Sequence, residues 1–431
     1  MSNLDQGKAR QGTTTNVSFP TLPSLSQQPM RIQLYQEDGN HDLLVMQFRA
    51  TFENWFTLLK TGVPIEFSWS QNPFKNNWIG YVSYVSKQVS GQTEQIMEVH
   101  CVGSTFPLKE RVSEIFENSS ITQAVESIVT RFGFKFIGDA HPLVFDQLVI
   151  AGHSYWEWIQ EQANRIGYGV LVEGMSFIFK PLDKLIDYGI TSVPVFSMMG
   201  KGVPGGLMYN DRTLDQFVVN HGEYIEFPQA LRTVKSVGGV DPVTSTPFYS
   251  AKSPKNVGVN LRQGVSDVLF SEPRTEQVVN SLTAAETLSE GAAQNSRLNM
   301  PAKVKGQGDP RLNVFSPVII RGTGDLTDGY WVAGKIKHMF SRNGNYQVEM
   351  SIFTDGSGLT NRTASRKDTG TVVGVVNLTD ALNNGGIAGN TASDKAYKLS
   401  ATLGLEIEYN QGFLRTPNRW AYSSTTNKGA A

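Results

Sequence analysis

The feature that most constrains this chain is a hydrophobic period of two. Between about Met30 and Val102, apolar residues alternate with polar ones at Ile32/Leu34, Leu44/Met46/Phe48, Val63/Ile65/Phe67/Trp69, Ile79/Tyr81 and Met97/Val99/Cys101. Breaks fall at Asp38-Gly39-Asn40, Asn72-Pro73 and Ser90-Gly91. Successive side chains of a strand point to opposite faces, so this pattern sends one face to a core, and several short strands at this spacing predict a small antiparallel barrel. The same period returns at Leu298/Met300/Ala302/Val304, Val318-Ile320, Trp331-Phe340 and Tyr346-Phe353, with Gly/Asp-rich turns at 322–325 and 342–345 placed as hairpin connections. A second small barrel follows from it.

Between these stretches the period changes. Ser120-x-x-Gln123 opens a run with apolar residues at 121, 124, 125, 128, 129 and 132 that stops at Gly133, the pattern of a capped amphipathic helix. Ser154-Tyr155-Trp156-Glu157 is a second capping box, and Tyr155, Ile159, Ala163 and Ile166 share a face before Gly167. Strands at 170–172 and 176–179 follow. Helix, stop and strand thus occur twice, either as an internal repeat or as two independent units. Farther on, 193–196, 216–220 and 233–237 read as strands, 200–206 as a Gly/Pro-rich link, and about 281–295 as a third helix. The expected fold class is α+β, mainly β: two antiparallel barrels with helix-containing α/β insertions between them.

The expected organisation is a flexible arm at 1–28, a first barrel at 29–105, a mixed α/β segment at 106–190 and a β-rich connecting region at 191–295. The connecting region contributes to the second barrel and carries an exposed loop at 242–257, rich in Ser, Pro and Asn. The rest of the second barrel occupies 296–355. From 356 to 431 the composition is Ser, Thr, Asn and Gly with two apolar islands, 372–376 and 403–407. That segment lacks the apolar area to offset its ordering entropy alone, while Phe413, Trp420 and Tyr422 are side chains of the kind that anchor interfaces. It is expected to be a docking tail.

The chain has 431 residues, and Lys plus Arg (38) nearly equal Asp plus Glu (39), so no one-signed field draws the whole molecule to nucleic acid or anionic lipid. Charged residues are 18%, below the roughly 25% of ordinary domains, which suits a surface engaged in protein contacts. Cys101 is the single cysteine, which excludes an internal disulfide and a cysteine-based zinc site. No run of apolar residues has the length of a membrane span and the first residues lack a signal-peptide core, so the expectation is a soluble protein made in the cytoplasm.

Motifs for catalysis fail on their context. Gly152-His153-Ser154-Tyr155-Trp156 begins like a nucleophile elbow, but its fifth residue is Trp where a tightly packed elbow needs Gly, and Ser154 with Glu157 answers better to capping. Gly200-Lys201-Gly202-Val203-Pro204-Gly205 has dinucleotide-site spacing without the helix that must follow. The histidines at 41, 100, 141, 153, 221 and 338 include no i, i+4 pair, and adjacent His100 and Cys101 point to opposite faces of a strand. His338 reads as a structural core residue. Glu157 and Glu161, at i, i+4, read as solvated carboxylates rather than a glycosidase pair. No catalytic residue, metal ligand or cofactor is assigned. A carbohydrate-binding role for the seven tryptophans would need exposed platforms, whereas Trp55, Trp69, Trp78, Trp156 and Trp158 sit in core patterns.

Three segments together resemble the tail hub proteins of contractile bacteriophages, the family of the late control protein D type, the T-even baseplate hub and the N-terminal half of VgrG spikes. The first runs from Ser154-Tyr155-Trp156-Glu157-Trp158-Ile159 to Ala163-Asn164-Arg165-Ile166-Gly167-Tyr168. The second spans Ala284-Ala285 to Gly306-Gln307-Gly308-Asp309-Pro310-Arg311-Leu312, and the third links Gly329-Tyr330-Trp331-Val332 through His338 to Gly344-Asn345-Tyr346. The resemblance marks Ser154, Trp156, Glu157, Gly167, Tyr168, Gly308, Gly329, His338 and Tyr346 as structural signature residues. It implies two tail-tube-like barrels per chain and a homotrimer forming a pseudo-sixfold ring between the sixfold tail tube and the threefold central spike of a virion baseplate. The implied partners are a tail tube or distal tail protein, a separate spike protein and, as a further candidate, a tape-measure protein. DNA would meet the protein only in transit through the channel, and no membrane insertion is implied. VgrG-type chains continue into a further barrel and a β-helical needle, for which the segment after Gly356 is too short. The competing reading is a tail-associated peptidoglycan hydrolase whose catalytic residues are dispersed along the chain.

Overall fold

The computed structural model describes residues 12–23, 28–49, 53–90, 94–189, 192–198, 211–219, 234–241, 243–252, 271–273, 279, 281–295, 298, 300–324, 327–342, 344–354, 360–361 and 373–374. The first six strands are β1 (Thr14–Ser18), β2 (Arg31–Glu37), β3 (Leu43–Arg49), β4 (Pro64–Gln71), β5 (Phe74–Ser90) and β6 (Glu94–Gly103), with a short helix α1 (Glu53–Leu58) between β3 and β4. They pair in the order β1-β4-β5-β6-β3-β2. Ile32, Leu34, Leu44, Met46, Phe48, Ile65, Phe67 and Trp69 all point inward and are buried, as the alternation demands.

The arm expected at 1–28 is corrected in part. Thr14-Thr15-Asn16-Val17-Ser18 forms β1, paired antiparallel to β4 from Thr14↔Ser70 to Ser18↔Glu66, and Phe19 after it is buried. The β-branched residues Thr14, Thr15 and Val17 suit a strand, and the open edge of β4 supplies the pairing that composition alone does not reveal.

A central unit follows. β7 (Arg111–Ser120) and β9 (Val144–Ser154) form a two-stranded ribbon. Between them lie α2 (Ile121–Arg131) and β8 (Lys135–Gly138), and after them α3 (Tyr155–Ile166), β10 (Tyr168–Glu173), β11 (Ser176–Pro181) and α4 (Leu182–Ile186). Both longer helices start in a complete capping box, at Ser120/Gln123 and Ser154/Glu157, and left-handed glycines follow them, Gly133 at φ 82° and Gly167 at φ 75°. The two helix–stop–strand units meet in one sheet of order β10-β11-β8, with β8 parallel to β11.

The chain then enters the second half through β12 (Val195–Met198) and β13 (Arg212–Val219). It leaves it for a small sheet of β14 (Val234–Val240), β15 (Pro247–Lys252) and β16 (Ser271–Pro273), which packs against α5 (Leu282–Asn295). It returns with β17 (Met300–Gln307), β18 (Pro317–Arg321), β19 (Gly329–Ser341) and β20 (Tyr346–Thr354); the pair β21 (Thr360–Asn361) and β22 (Val373–Gly374) ends the described chain. The loop expected at 242–257 therefore contains a strand: β15 pairs with β14, and the Ser250 hydroxyl lies 3.0 Å from that of Ser289 on α5. Its Ser/Pro composition hid a hairpin whose inner face is covered by a helix distant in sequence.

The order β19-β18-β12-β13-β17-β20 closes through a second β19–β20 pairing into a six-stranded barrel. It is antiparallel except at β12, which runs parallel to both β13 and β18. A parallel neighbour needs a crossover of a dozen or more residues, and residues 199–211 supply that length before β13. The two halves are one continuous twelve-stranded sheet, because β2 pairs with β19 from Glu37↔Lys335 to Arg31↔Ser341. The first half curls far enough for Phe67 and Trp69 of β4 to pack on Phe340 of β19, at ring distances of 5.3 and 5.8 Å. The molecule is mainly β with tail-tube-like barrels.

Candidate functional site

The signature residues gather in two places, and both are joints. Ser154 accepts a hydrogen bond from the Glu157 amide at 3.2 Å, while Glu157 accepts one from the Ser154 amide at 2.9 Å. The Glu157 carboxyl is held below its usual range by that backbone bond and by the Ser154 hydroxyl. Both side chains are thus engaged in helix capping, which is not the arrangement of a serine nucleophile with a base. Two positions on, the Trp156 indole donates to the Gly39 carbonyl at 3.0 Å and stacks on His41 at 4.9 Å, tying α3 to the turn between β2 and β3. His41 is kept neutral, its pKa lowered to about 4 by burial and by Lys109. Gly167 touches Gly291 of α5 so closely that a Cβ on it would sit 2.6 Å from the Gly291 Cα. Tyr168 packs on His141 and Phe179 at 5.6 and 5.1 Å, and burial pushes its hydroxyl up to about 12.

The second joint lies where β2, β19 and β20 meet. His338 is fully buried, with Nδ1 2.8 Å from the Tyr346 hydroxyl and Nε2 3.1 Å from Gln36 Oε1. Tyr346 Oη donates to the Asp309 carbonyl at 3.0 Å. Gly308 makes room for this: a Cβ there would lie 2.3 Å from the Tyr346 ring, and the Gly308 amide donates to the Tyr346 carbonyl at 2.8 Å. The Asp309 carboxylate accepts from Arg212 Nε at 2.7 Å and from Arg311 Nε at 2.8 Å. Burial raises its pKa, and the Arg311 hydrogen bonds with the charges of Arg212 and Arg311 more than reverse this. Gly329 opens β19 at φ 141°, opposite Ile320.

The structure thus brings His338, Tyr346 and Gly308 together and places the α3 residues at a separate contact. Gln36, Asp42 and Arg212 belong to these joints and were not singled out from sequence, since only the register of β2 against β19 brings Gln36 to His338; His41 and Asp309, named there only as a histidine without an i, i+4 partner and as part of a resemblance segment, belong to them too. Phe413, Trp420 and Tyr422 lie outside the described residues. Trp55, Trp69, Trp78, Trp156 and Trp158 are all buried and offer no aromatic platform.

Between the joints is a cavity of about 50 Å³ lined by the 37–42 turn, Asn76–Ile79, Trp156 and β10, room for little more than a water. A wider groove of about 760 Å³ runs between α3 and the barrel, past Gln160, Asn164, Tyr168, Leu182 and Phe353. Its charged lining includes the ion pair Lys335–Glu37 at 2.9 Å. Among the described residues no group of three His, Cys, Asp or Glu could hold a metal ion, and no helix is long and apolar enough to cross a membrane. The arrangement holds elements together rather than presenting reactive groups to a ligand.

No family model matches the sequence, and no curated protein matches it. Solved structures do match. A tail protein from Neisseria meningitidis MC58 superposes with a TM-score of 0.56 at 11% identity, covering 80% of this chain and 97% of that one. The 43 kDa tail protein of prophage MuSo2 from Shewanella oneidensis gives 0.54 at 11% identity, covering 80% and 98%. The class is defined at the level of fold: this chain has the fold of phage tail proteins, and nearly the whole length of each of the two takes part in the likeness.

Proposed function

We propose that the protein is a structural, non-enzymatic component of a phage tail, acting as the hub that joins the sixfold tail tube to the threefold central spike. The observation that carries this reading is the fusion, within one chain, of two six-stranded β units through β2 and β19. Three copies would then offer six such units in a ring, and that ring matches a sixfold surface on one side and a threefold one on the other. The shared fold with two phage tail proteins supports the virion setting. Further partners in this reading are a tail tube or distal tail protein, a separate spike protein and a tape-measure protein, with DNA in transit through the channel the ring encloses. The 356–431 segment, with Phe413, Trp420 and Tyr422, is proposed as the strap that docks on one of these neighbours.

Native mass measurement of the spike-bound protein tests the assembly. A trimer is expected, and a monomer or dimer at that stage would exclude the hub role. A muralytic zymogram on the same preparation is expected to show no clearing, whereas clearing would favour a tail-associated hydrolase.

A further inference from the structure

Four polar contacts run in series across the seam between the two halves. Tyr346 Oη donates to the Asp309 carbonyl, His338 Nδ1 lies 2.8 Å from the same Oη, His338 Nε2 lies 3.1 Å from Gln36 Oε1, and Gln36 Nε2 donates to Asp42 Oδ2 at 3.2 Å. Hydrogen-bond direction then fixes a proton count. The single phenolic proton of Tyr346 points to Asp309, so Nδ1 must donate to the phenol oxygen. Gln36 Oε1 has no proton, so Nε2 must donate as well. A neutral imidazole carries one N–H, and with Asp42 ionised the series is one proton short.

Two arrangements supply it. In the first, His338 is an imidazolium. In the second, the Gln36 amide is turned by half a rotation, its Nε2 donates to His338 Nε2, and a protonated Asp42 donates to Gln36 Oε1. The number of protons is the same in both. Amide orientation is assigned from the bonding network, so the two are equivalent in heavy-atom positions.

We infer that this series takes up one proton, that the proton resides on Asp42, and that the seam between the two β halves is a proton-linked latch, complete when Asp42 is protonated and one bond short when it is not. Burial decides between the two ends. It holds the His338 pKa down to about 3 against the opposing pull of Asp309, and it raises Asp42 to about 6 against the lowering effect of Gln36 and Trp78. The groups facing the series are few. Asp38 on the same turn and Glu173 of β10 line the small cavity beside Asp42, and burial raises both of them, Asp38 to about 6. His41 is neutral and engaged by Thr105 at 2.7 Å. On the His338 side, Asp309 is neutralised by Arg212 and Arg311, and Glu37 is paired with Lys335.

The sign follows from linkage. Asp42 has its folded-state pKa raised above the ordinary 3.8, so its stabilisation is full below about pH 4 and is lost as pH rises through about 6. Between pH 5 and pH 7 this group alone should lower the folding equilibrium constant about tenfold. Urea midpoints of the full chain at those two pH values, for the unmodified protein and for Asp42→Asn, Asp38→Asn and Tyr346→Phe, test it. Asp42→Asn is expected to lose this tenfold component, because its amide donates to Gln36 at any pH; Asp38, also raised to about 6, adds a component of its own, so Asp38→Asn is expected to remove that one and keep the component of Asp42. Tyr346→Phe removes the demand on Nδ1 and leaves enough protons for a neutral imidazole, so it should reduce the component by the part the series adds to the burial of Asp42, even if Asp42→Asn fails to fold. Retention of the full pH response in Tyr346→Phe would overturn the latch, since Asp42 would then titrate through its burial alone. Loss in Tyr346→Phe with retention in Asp42→Asn would place the proton on His338 and overturn the assignment to Asp42.

Discussion

Ser154 shows how one side chain can mimic a catalytic motif while performing a backbone task. Its hydroxyl bonds the Glu157 amide, one of the donors that the first turn of α3 would otherwise leave without a partner. Ser154→Ala is therefore expected to lower stability by about 1 kcal/mol and to abolish no reaction, read by thermal melting and a hydrolase assay on one preparation. Loss of a hydrolytic activity with an unchanged melt would contradict the capping role. His338 is the complementary case. Its placement next to Phe340 on an alternating strand suggested a structural core residue, and its environment is a buried hydrogen-bond series. The partner Gln36 was invisible, since β2 lies about three hundred residues away in sequence and nothing local in Gln33-Leu34-Tyr35-Gln36 announces it.

At the scale of elements, the helices were the most legible part of the chain. Capping boxes and stop glycines are local chemistry, so α2, α3 and α5 fall where Ser120, Ser154 and the 281–295 run place them. The short α1 and strand β1 went unread: six residues carry too little periodicity, and β1 owes its existence to an open edge on β4. Gly167 belongs to this scale because it serves two elements, ending α3 in the left-handed region and allowing α5 to approach through Gly291. Gly167→Ala should cost more than the roughly 1 kcal/mol of a left-handed alanine, since the added Cβ also meets backbone of α5. Chemical denaturation is the measurement, and a loss of only that amount would mean that α5 moves away freely.

For the whole molecule, the joining of two β halves into one sheet through β2 and β19 is the organising fact. In the proposed hub, the ring-forming unit is this joined sheet and the segment after Gly356 is a separate strap. Truncation after Gly356 is therefore expected to leave trimer formation and the melting temperature unchanged while weakening association with the spike or another tail component. Native mass and pull-down with the purified partner measure both. A truncated chain that fails to trimerise yet keeps its partner would place the tail in the ring.

The sequence by itself determined most strands of the two β halves, the capped helices α2 and α3, and that Trp55, Trp69, Trp78, Trp156 and Trp158 go inward, because period, caps and turn residues act over a few neighbours. Tertiary structure alone decided the parallel placement of β12, the closure of β19 on β20, and the recruitment of β1 and β15 from segments that read as arm and loop. It also decided which polar groups meet at the seam. Strand pairing between distant segments is set by the register in which whole faces bury together, and that is a property of two surfaces at once, not of either stretch of residues alone.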